Sequence, residues 1–307
     1  MTQPSELPQA TEPAWRVALA FAVIYVVWGT TYFVVGKVVH EWPPLLMTAG
    51  RFLVAGPALY LLRRARGAMK PTKANWLAAA WISALLLLGG YGTTAWAQQH
   101  VPSGLTALIV AVTPLTMALI EWLRPRGNRP APAVFLGLFL GFAGMILLIG
   151  PARLETARDA GLLPALACAG AAVCWATGSV LGRQARQAGD ALLAASMQML
   201  LGAVWLVAAA VAFGEFSRLP ETAWRWELFG GWAYLTLAGS LAAYTAYIYL
   251  LKVSTPARVS TYAYINPAVA VCVGWALGGE VVTGRMAIAA GLLLGGVALI
   301  TARKRTG

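Results

Sequence analysis

The feature that most constrains this chain is a series of apolar runs, each about 20 residues long, separated by short polar connections. An α-helix needs about 20 apolar residues to cross a bilayer. Within lipid, backbone polar groups must be paired inside helices or a closed barrel, and these runs are too long for barrel strands. The ten runs lie at roughly residues 16–38, 44–62, 75–97, 103–123, 132–150, 161–182, 190–213, 227–250, 258–278 and 283–302.

Composition agrees with lipid rather than water as the surrounding solvent. Charged residues make up 11% of the chain, against about 25% in soluble proteins. The connections are too short to hold a soluble domain. We therefore expect an all-α membrane protein with ten transmembrane helices.

Lysine and arginine positions predict how the helices are oriented. The first 15 residues lack the basic segment and cleavage site of a signal peptide, so we expect the first helix to be retained. Of 23 basic residues, 16 fall on the side that holds both termini, 6 fall on the other side, and Arg51 lies within a helix. This bias predicts cytoplasmic termini. Basic loops facing anionic lipid also account for the net charge of +12 without a nucleic-acid partner.

The second half of the chain repeats the first. Trp28 and Trp175 align at an offset of 147 residues, and the stretches Tyr91–Pro114 and Tyr244–Pro267 align at an offset of 153. The motifs GLFLG at 137–141 and GLLLG at 291–295 follow in the same order. We therefore predict cytoplasmic tails at 1–15 and 304–307, five-helix repeats at 16–150 and 161–303, and an external linker at 151–160.

An odd number of helices per repeat has a topological consequence. The second copy must enter the membrane from the other side, so the two repeats are inverted. Inverted repeats are characteristic of secondary transporters, with substrate sites near the membrane midplane. The exchange of conformations between two equivalent halves predicts transport by alternating access.

Particular residues also resemble those of a known family. The Trp28–Gly29 pair in the first helix, Arg51 in the second, and Pro114 and Pro267 in the fourth and ninth resemble the drug/metabolite transporter superfamily. The resemblance is to its ten-helix exporter branch and, within that branch, to bacterial aromatic amino acid exporters. It implies export of aromatic or large neutral amino acids across the bacterial cytoplasmic (inner) membrane. The second half departs from the pattern, with Ala176 at the position of Gly29 and Gln198 at that of Arg51.

Polar and aromatic residues inside the predicted helices are candidates for a substrate cavity. Ser240, Tyr244 and Tyr247 share one helical face, and Tyr262 and Asn266 are four residues apart. Such a face looks toward a cavity or a partner helix rather than lipid, so the alternative role is to join helices. The cavity candidates are Trp28, Thr31, Tyr91, Thr94, Gln98, Trp175, Ser179, Ser240, Tyr244, Tyr247, Tyr262 and Asn266.

Charged and proline residues raise further hypotheses about mechanism. Arg51 lies about 10 Å into the membrane, where it would anchor a substrate carboxylate or stabilise neighbouring helices. Pro114 and Pro267 are hinge candidates, with a static kink as the alternative. Glu121 and Glu280 are either proton sites or solvated carboxylates, so proton antiport and facilitated diffusion both remain open.

Functions other than amino acid transport favour different residues or motifs. Drug carriage favours an anionic residue in the cavity, and nucleotide-sugar carriage favours several cations. The sequence lacks GxSG, HExxH and Walker motifs, which disfavours a membrane enzyme or an ATP-driven pump. A receptor would not need an inverted repeat. No cofactor or metal is predicted, and three cysteines within helices argue against a disulfide framework.

Overall fold

All regular structure in the described part of the chain is helical. A computed structural model describes residues 13–101, 103–124, 130–159, 162–219, 225–266, 268–269 and 284–301. A helical turn at Pro256–Val259 and helical residues 262–266 accompany the longer helices. Those are α1 Ala14–Val39, α2 Pro44–Ala65, α3 Lys73–Ala97, α4 Ser103–Val110, α5 Thr113–Leu123, α6 Pro132–Asp159, α7 Leu162–Gly182, α8 Ala191–Ala212, α9 Trp226–Val253 and α10 Gly284–Thr301.

Within these residues, six helices are long and apolar enough to cross a membrane: α1, α2, α3, α7, α8 and α9. Shorter apolar stretches occupy Pro132–Leu147 in α6 and Ala287–Ile300 in α10. An all-helical membrane fold is thus confirmed. The count of ten spans stays a prediction, because residues 270–278 of the ninth predicted span lie outside the described residues, as does Glu280.

The fourth predicted span is divided into two helices. α4 ends at Val110 and α5 begins at Thr113, with Pro114 in its first turn. Proline is well tolerated there, because the first amides of a helix have no intrahelical acceptor. Pro114 therefore starts a helix rather than kinking a continuous one. The other hinge candidate, Pro267, lies outside the described residues.

The segment predicted as an external linker, residues 151–160, is helical as far as Asp159, the last residue of α6. The physical reason lies in its sequence: after Pro151, the stretch ARLETARD consists mainly of good helix formers and contains no glycine. Its role as a linker between the two repeats stays a prediction.

One end of the bundle, here called the basic end, joins elements of both halves. At the end of α2, Arg63 pairs with Asp190, whose carboxylate also caps α8 by accepting from the amides of Leu192 and Leu193 at 2.9 and 3.3 Å. On α9, Lys252 Nζ donates to the carbonyl of Ala188 at 2.6 Å. Neighbouring loops on this end are therefore fixed to one another by charged groups.

The opposite end is also tied across the halves. Glu215 follows α8, and its carboxylate accepts from the amides of Leu45 and Leu46 at 3.2 and 2.9 Å. These are among the first amides of α2, which lack intrahelical acceptors. Glu41, which follows α1, pairs with Arg225 just before α9. The second half thus caps a helix of the first.

Several helix pairs each join one helix of the first half to one helix of the second half. α2 packs against α8 and α6 against α10, while α1 packs against α9 and α7 against α3. Both α3 and α9 contain a π-helical stretch, Ala84–Gly92 and Leu235–Tyr244, and each stretch includes the tyrosine matched in the repeat. π segments are rare and occur frequently at functional sites. This pattern supports a two-fold relation, whereas the inversion itself stays a prediction.

Glycines permit the close contact between α6 and α10. A Cβ on Gly137 would lie 2.6 Å from the carbonyl oxygen of Gly296, and the reverse distance is also 2.6 Å. A Cβ on Gly291 or Gly295 would meet no described atom within 4 Å. The two glycines of the aligned GLLLG motif are therefore not at this close contact, which instead uses their neighbour Gly296.

Candidate functional site

Six aromatic residues from both halves form one cluster at the centre of the bundle. The ring of Trp28 on α1 lies 5.7 Å from Trp175 on α7 and 4.8 Å from Tyr262, centroid to centroid. Tyr91 on α3 is 5.2 Å from Trp175. These distances suit edge-on and tilted aromatic contacts. The cluster comprises Trp28, Tyr91, Trp175, Tyr244, Tyr247 and Tyr262.

A cavity of about 80 Å³, here called the central cavity, lies between this cluster and the opposite end of the bundle. By a measure in which one water needs about 10–15 Å³, it holds several waters. Its lining reaches Val35 and Gln98, near the ends of α1 and α3. The predicted site residues that line it are Trp28, Thr31, Arg51, Tyr91, Thr94, Gln98, Trp175, Tyr262 and Asn266.

Several polar groups of the lining are already paired within the protein. Thr31 Oγ1 donates to the carbonyl of Trp28 at 2.9 Å, and Gln98 Nε2 donates to the carbonyl of Tyr32 at 3.1 Å. With its amide nitrogen placed to donate, Asn266 reaches the carbonyl of Tyr262 at 2.9 Å. The Gln98 contact joins α1 to the end of α3, which was the alternative role considered for the polar residues, whereas the other two contacts each lie within one helical segment.

Three buried donors of the lining make no hydrogen bond of normal geometry to a described residue, although tyrosine hydroxyls lie near their side chains. They are the indole Nε1 of Trp28, the indole Nε1 of Trp175, and Nε of Arg51. A buried donor without an acceptor costs free energy, about 1–3 kcal/mol. Arg51 is also the one charged residue in the described lining. The central cavity therefore offers hydrogen-bond donors and positive charge to an occupant.

Arg51 joins the two halves as well as lining the cavity. Its side chain is buried, and its Nη2 donates to Ser240 Oγ on α9 at 3.1 Å. The guanidinium lies over the ring of Tyr91, 5.4 Å from the centroid, a cation–π contact. Both roles considered for Arg51 are thus compatible with its position, since Nε remains unpaired.

Four of the predicted site residues lie outside the lining of the central cavity. Tyr244 and Tyr247, here called the tyrosine layer, are fully buried on α9. The Tyr244 hydroxyl donates to Gln198 Oε1 at 2.5 Å, and the Tyr247 and Ser179 hydroxyls are 2.5 Å apart. Ser240 is occupied with Arg51. The tyrosine layer closes the aromatic cluster toward the basic end.

Beyond the tyrosine layer is a second and larger cavity of about 430 Å³, here called the basic vestibule. Ser179 and Gln198 line it, so their hydrogen bonds join its inner wall to the tyrosine layer. Arg124, Arg183 and Lys252 contribute cations to its lining. The structure thus places two cavities on opposite sides of two tyrosines.

Sequence reasoning missed part of both cavities. Tyr32, Val35 and Thr48 line the central cavity without having been singled out. Residues 28, 31, 32 and 35 follow helical spacing on one face of α1, which was a usable signal. The cations of the basic vestibule were counted only as charges that orient the chain. Glu121, a proton-site candidate, pairs with Arg124 at 2.5 Å.

A bundle of membrane-length helices around an internal cavity is an architecture that suits an integral membrane transporter, and sequence comparison agrees. The EamA-like transporter family matches twice, over residues 15–150 and 162–302. The chain belongs to the EamA-like transporter family, and the drug/metabolite transporter superfamily expected from its motifs is confirmed.

Individual relatives are similar over most of their length. The uncharacterized inner membrane transporter YedA of Escherichia coli K12 is 34% identical over 93% of this chain and 90% of its own. Protein PecM of Dickeya dadantii is 28% identical over 81% and 80%. A crystal structure with 22% identity superposes with a TM-score of 0.72 over 94% of this chain and 97% of the other, which supports the fold.

Proposed function

We propose that this protein exports amino acids, aromatic or large neutral ones, by alternating access through the central cavity. The observation that carries the proposal is the set of three unpaired donors, on Trp28, Trp175 and Arg51, around one aromatic cavity. A carboxylate accepts several hydrogen bonds and carries negative charge, so it satisfies such donors. The aromatic rings suit the apolar body of the same solute.

Charge distinguishes amino acids from the other cargoes of the superfamily. No carboxylate is present among the described residues that line the central cavity, which leaves a cationic drug without a partner. A nucleotide sugar carries two phosphate charges, whereas Arg51 is the one cation of the described lining. A solute whose carboxylate pairs with Arg51 matches this single cation best.

The size of the central cavity bears on the transport cycle. At about 80 Å³ it is below the roughly 300–1,000 Å³ of typical ligand sites. A bound amino acid therefore requires the halves to separate around the aromatic cluster. The tyrosine layer closes one side of this site, and its hydrogen bonds would break as the solute passes.

Location follows from the relatives and from the charges. YedA is named an inner membrane transporter, and we place this protein in the bacterial cytoplasmic membrane likewise. The basic end holds Arg63, Arg183 and Lys252, and it faces the cytoplasm by the positive-inside rule. Both termini are then cytoplasmic, and the solute enters through the basic vestibule.

Counterflow in proteoliposomes tests the function. Purified protein is loaded with unlabelled solute, and uptake of labelled tryptophan, phenylalanine, leucine and threonine is followed with and without an imposed pH gradient. We expect saturable exchange of the aromatic amino acids and weaker exchange of threonine. A response to the gradient would indicate proton antiport, and its absence facilitated diffusion.

Other outcomes of counterflow assign a different cargo. If folded protein exchanges none of the four amino acids, the substrate assignment is wrong. Quaternary-ammonium drugs and nucleotide sugars are then assayed in the same vesicles. Exchange of a cationic drug would also contradict the argument from the donor-rich lining.

A further inference from the structure

The basic vestibule has an excess of positive charge that the proposed central site does not explain. Three cations line it, and no carboxylate belongs to its described lining. Arg124 is paired with Glu121. Arg183 Nε donates to the carbonyl of Leu251 at 2.8 Å, and Lys252 donates to two backbone carbonyls. Within the described part of the chain, neither Arg183 nor Lys252 has an ion-pair partner.

The remaining polar lining also suits an acceptor. Gln184 and Gln187 contribute amides, and Ser179 contributes a hydroxyl. Gln198 Nε2 donates to Gln187 Oε1 at 2.9 Å, which connects the vestibule floor to the hydrogen bond of Tyr244. At about 430 Å³ the cavity falls in the size range of small-molecule sites. It is a concave, net positive site one layer of side chains from the aromatic cluster.

We propose that the basic vestibule binds the carboxylate of an organic anion through Arg183 and Lys252. Both cations line the cavity and are exposed to solvent rather than buried, so the site is wet and binding weakens as salt increases. A low-dielectric wall around the cations focuses their field and raises the local concentration of a carboxylate solute. That the basic vestibule binds the solute before the central cavity during export rests on the proposed function. Anion binding by the vestibule does not depend on that function.

The test measures binding rather than transport. Phenylacetate has an aromatic body and a carboxylate without an ammonium group, and phenylacetamide is its neutral counterpart. Labelled phenylacetate is titrated into the full-length protein in phosphatidylcholine nanodiscs. We expect saturable binding of phenylacetate, and no competition from phenylacetamide. Binding equal for both compounds would overturn the proposal.

Matched variants separate a local site from general surface charge. Replacing both cations, Arg183→Gln with Lys252→Gln, should weaken phenylacetate binding about tenfold. Arg66→Gln with Arg186→Gln removes the same charge from exposed positions of the basic end outside the vestibule, and should change binding less than about threefold. Equal weakening in both double variants would mean that surface potential alone attracts the anion.

Two further experiments address misfolding of the glutamine variant and binding of lipid in the vestibule. Arg183→Lys with Lys252→Arg keeps both charges, and should retain binding even if the glutamine variant folds poorly. Nanodiscs with phosphatidylglycerol test the lipid as an alternative occupant, and loss of phenylacetate binding there would assign the vestibule to a lipid headgroup. If phenylacetate binds as expected but counterflow shows no amino acid exchange, the proposed function is wrong and the anion site stands.

Discussion

Tyr244 donates its hydroxyl hydrogen to Gln198 Oε1 over 2.5 Å, and both residues are buried. The hydrogen bond joins α9 to α8 at the boundary between the central cavity and the basic vestibule. Its counterpart in the first half is the contact of Arg51 with Tyr91, since Arg51 aligns with Gln198 and Tyr91 with Tyr244. Matched positions thus make matched helix contacts with different chemistry, a hydrogen bond in one half and a cation–π contact in the other.

Tyr244→Phe should loosen the boundary between the two cavities. Without the hydroxyl, Gln198 Oε1 loses its donor, which costs about 1–3 kcal/mol in this closed conformation. A cysteine at the central-cavity position Ala172 reports the change, in protein whose native cysteines Cys168, Cys174 and Cys272 are replaced by alanine. We expect impermeant maleimide to label it several-fold faster from the basic end in Tyr244→Phe.

Tyr264→Phe is the matched control for that experiment. Tyr264 is equally buried, and its hydroxyl donates to the carbonyl of Leu138 at 3.3 Å, away from both cavities. It should lose comparable stability while labelling at Ala172 stays unchanged. Equal acceleration in the two variants would indicate general loosening rather than an opened boundary.

Trp28→Phe should raise the KM for amino acid exchange about tenfold, with a smaller effect on the maximal rate. The change keeps an aromatic ring in the cluster and removes the unpaired indole donor, worth about 1.5–3 kcal/mol when it binds a charged acceptor. Trp175→Phe should act in the same direction. Saturation curves for phenylalanine counterflow give both constants.

Trp205→Phe provides the comparison for the two indole variants. Trp205 Nε1 donates to the carbonyl of Ala80 at 3.0 Å on the exposed side of α8, so its loss touches no cavity. We expect an unchanged KM. A KM for Trp28→Phe that matches the wild-type value would remove the indole donor from the substrate site.

Gly296→Ala should destabilise the bundle, whereas Gly295→Ala next to it should not. The new methyl at 296 would lie 2.6 Å from the carbonyl oxygen of Gly137 and 2.8 Å from the amide of Gly141, so the backbones must separate. Overpacking of this kind costs about 1–3 kcal/mol. At 295 the methyl meets no described atom within 4 Å. Thermal unfolding of both variants in the same detergent makes the comparison.

The Arg63–Asp190 ion pair should make stability depend on acid pH. Partial burial of Asp190 raises its pKa, but donors from Arg63 and from the amides of Leu193 and Leu192 outweigh burial and hold the pKa below the usual 3.8. A carboxyl whose pKa is lowered by folding stabilises the protein above its unfolded pKa. This stabilisation is lost as the pH falls through the lowered folded value.

Asp190→Asn isolates that contribution, because asparagine still caps α8. At neutral pH it should reduce stability by about 0–1 kcal/mol, and the difference from wild type should shrink as the pH falls below 3.8 toward the lowered folded pKa. Asp190→Ala also removes the cap and should lose about 1 kcal/mol more at every pH. A difference that persists in strong acid would assign the effect to capping. Unfolding midpoints between about pH 7 and pH 3 decide the question.

Much of the fold followed from hydropathy, because lipid forces long apolar runs into helices whatever their detailed packing. Repeat alignment singled out Trp28, Tyr91 and Trp175 as candidates for one cavity, and the structure places their rings in contact. The break before Pro114 and the helix through 151–159 were not foreseen. Both depend on local backbone preference, which the apolar pattern does not report.

The sequence also did not predict that the interior is divided into two cavities. Ser179 and Gln198 are among the few polar residues of α7 and α8, but only packing shows that both contact tyrosine hydroxyls. Arg183 and Lys252 are 69 positions apart, and their convergence depends on where α7 and α9 end in space. Charge counting predicted the side of the membrane but not that concave arrangement.

The cap that Glu215 places on α2 has a consequence for how the protein is made. Its acceptor oxygens are synthesised about 170 residues after the amides they pair with. At a ribosomal speed of about 5–20 residues per second, α2 waits roughly 10–30 s for that partner. During this interval its first turn must be satisfied by water or lipid headgroups at the bilayer surface. Insertion of α2 into the membrane and capping of α2 by Glu215 are therefore separate events. The cap forms only after α8 has crossed the membrane.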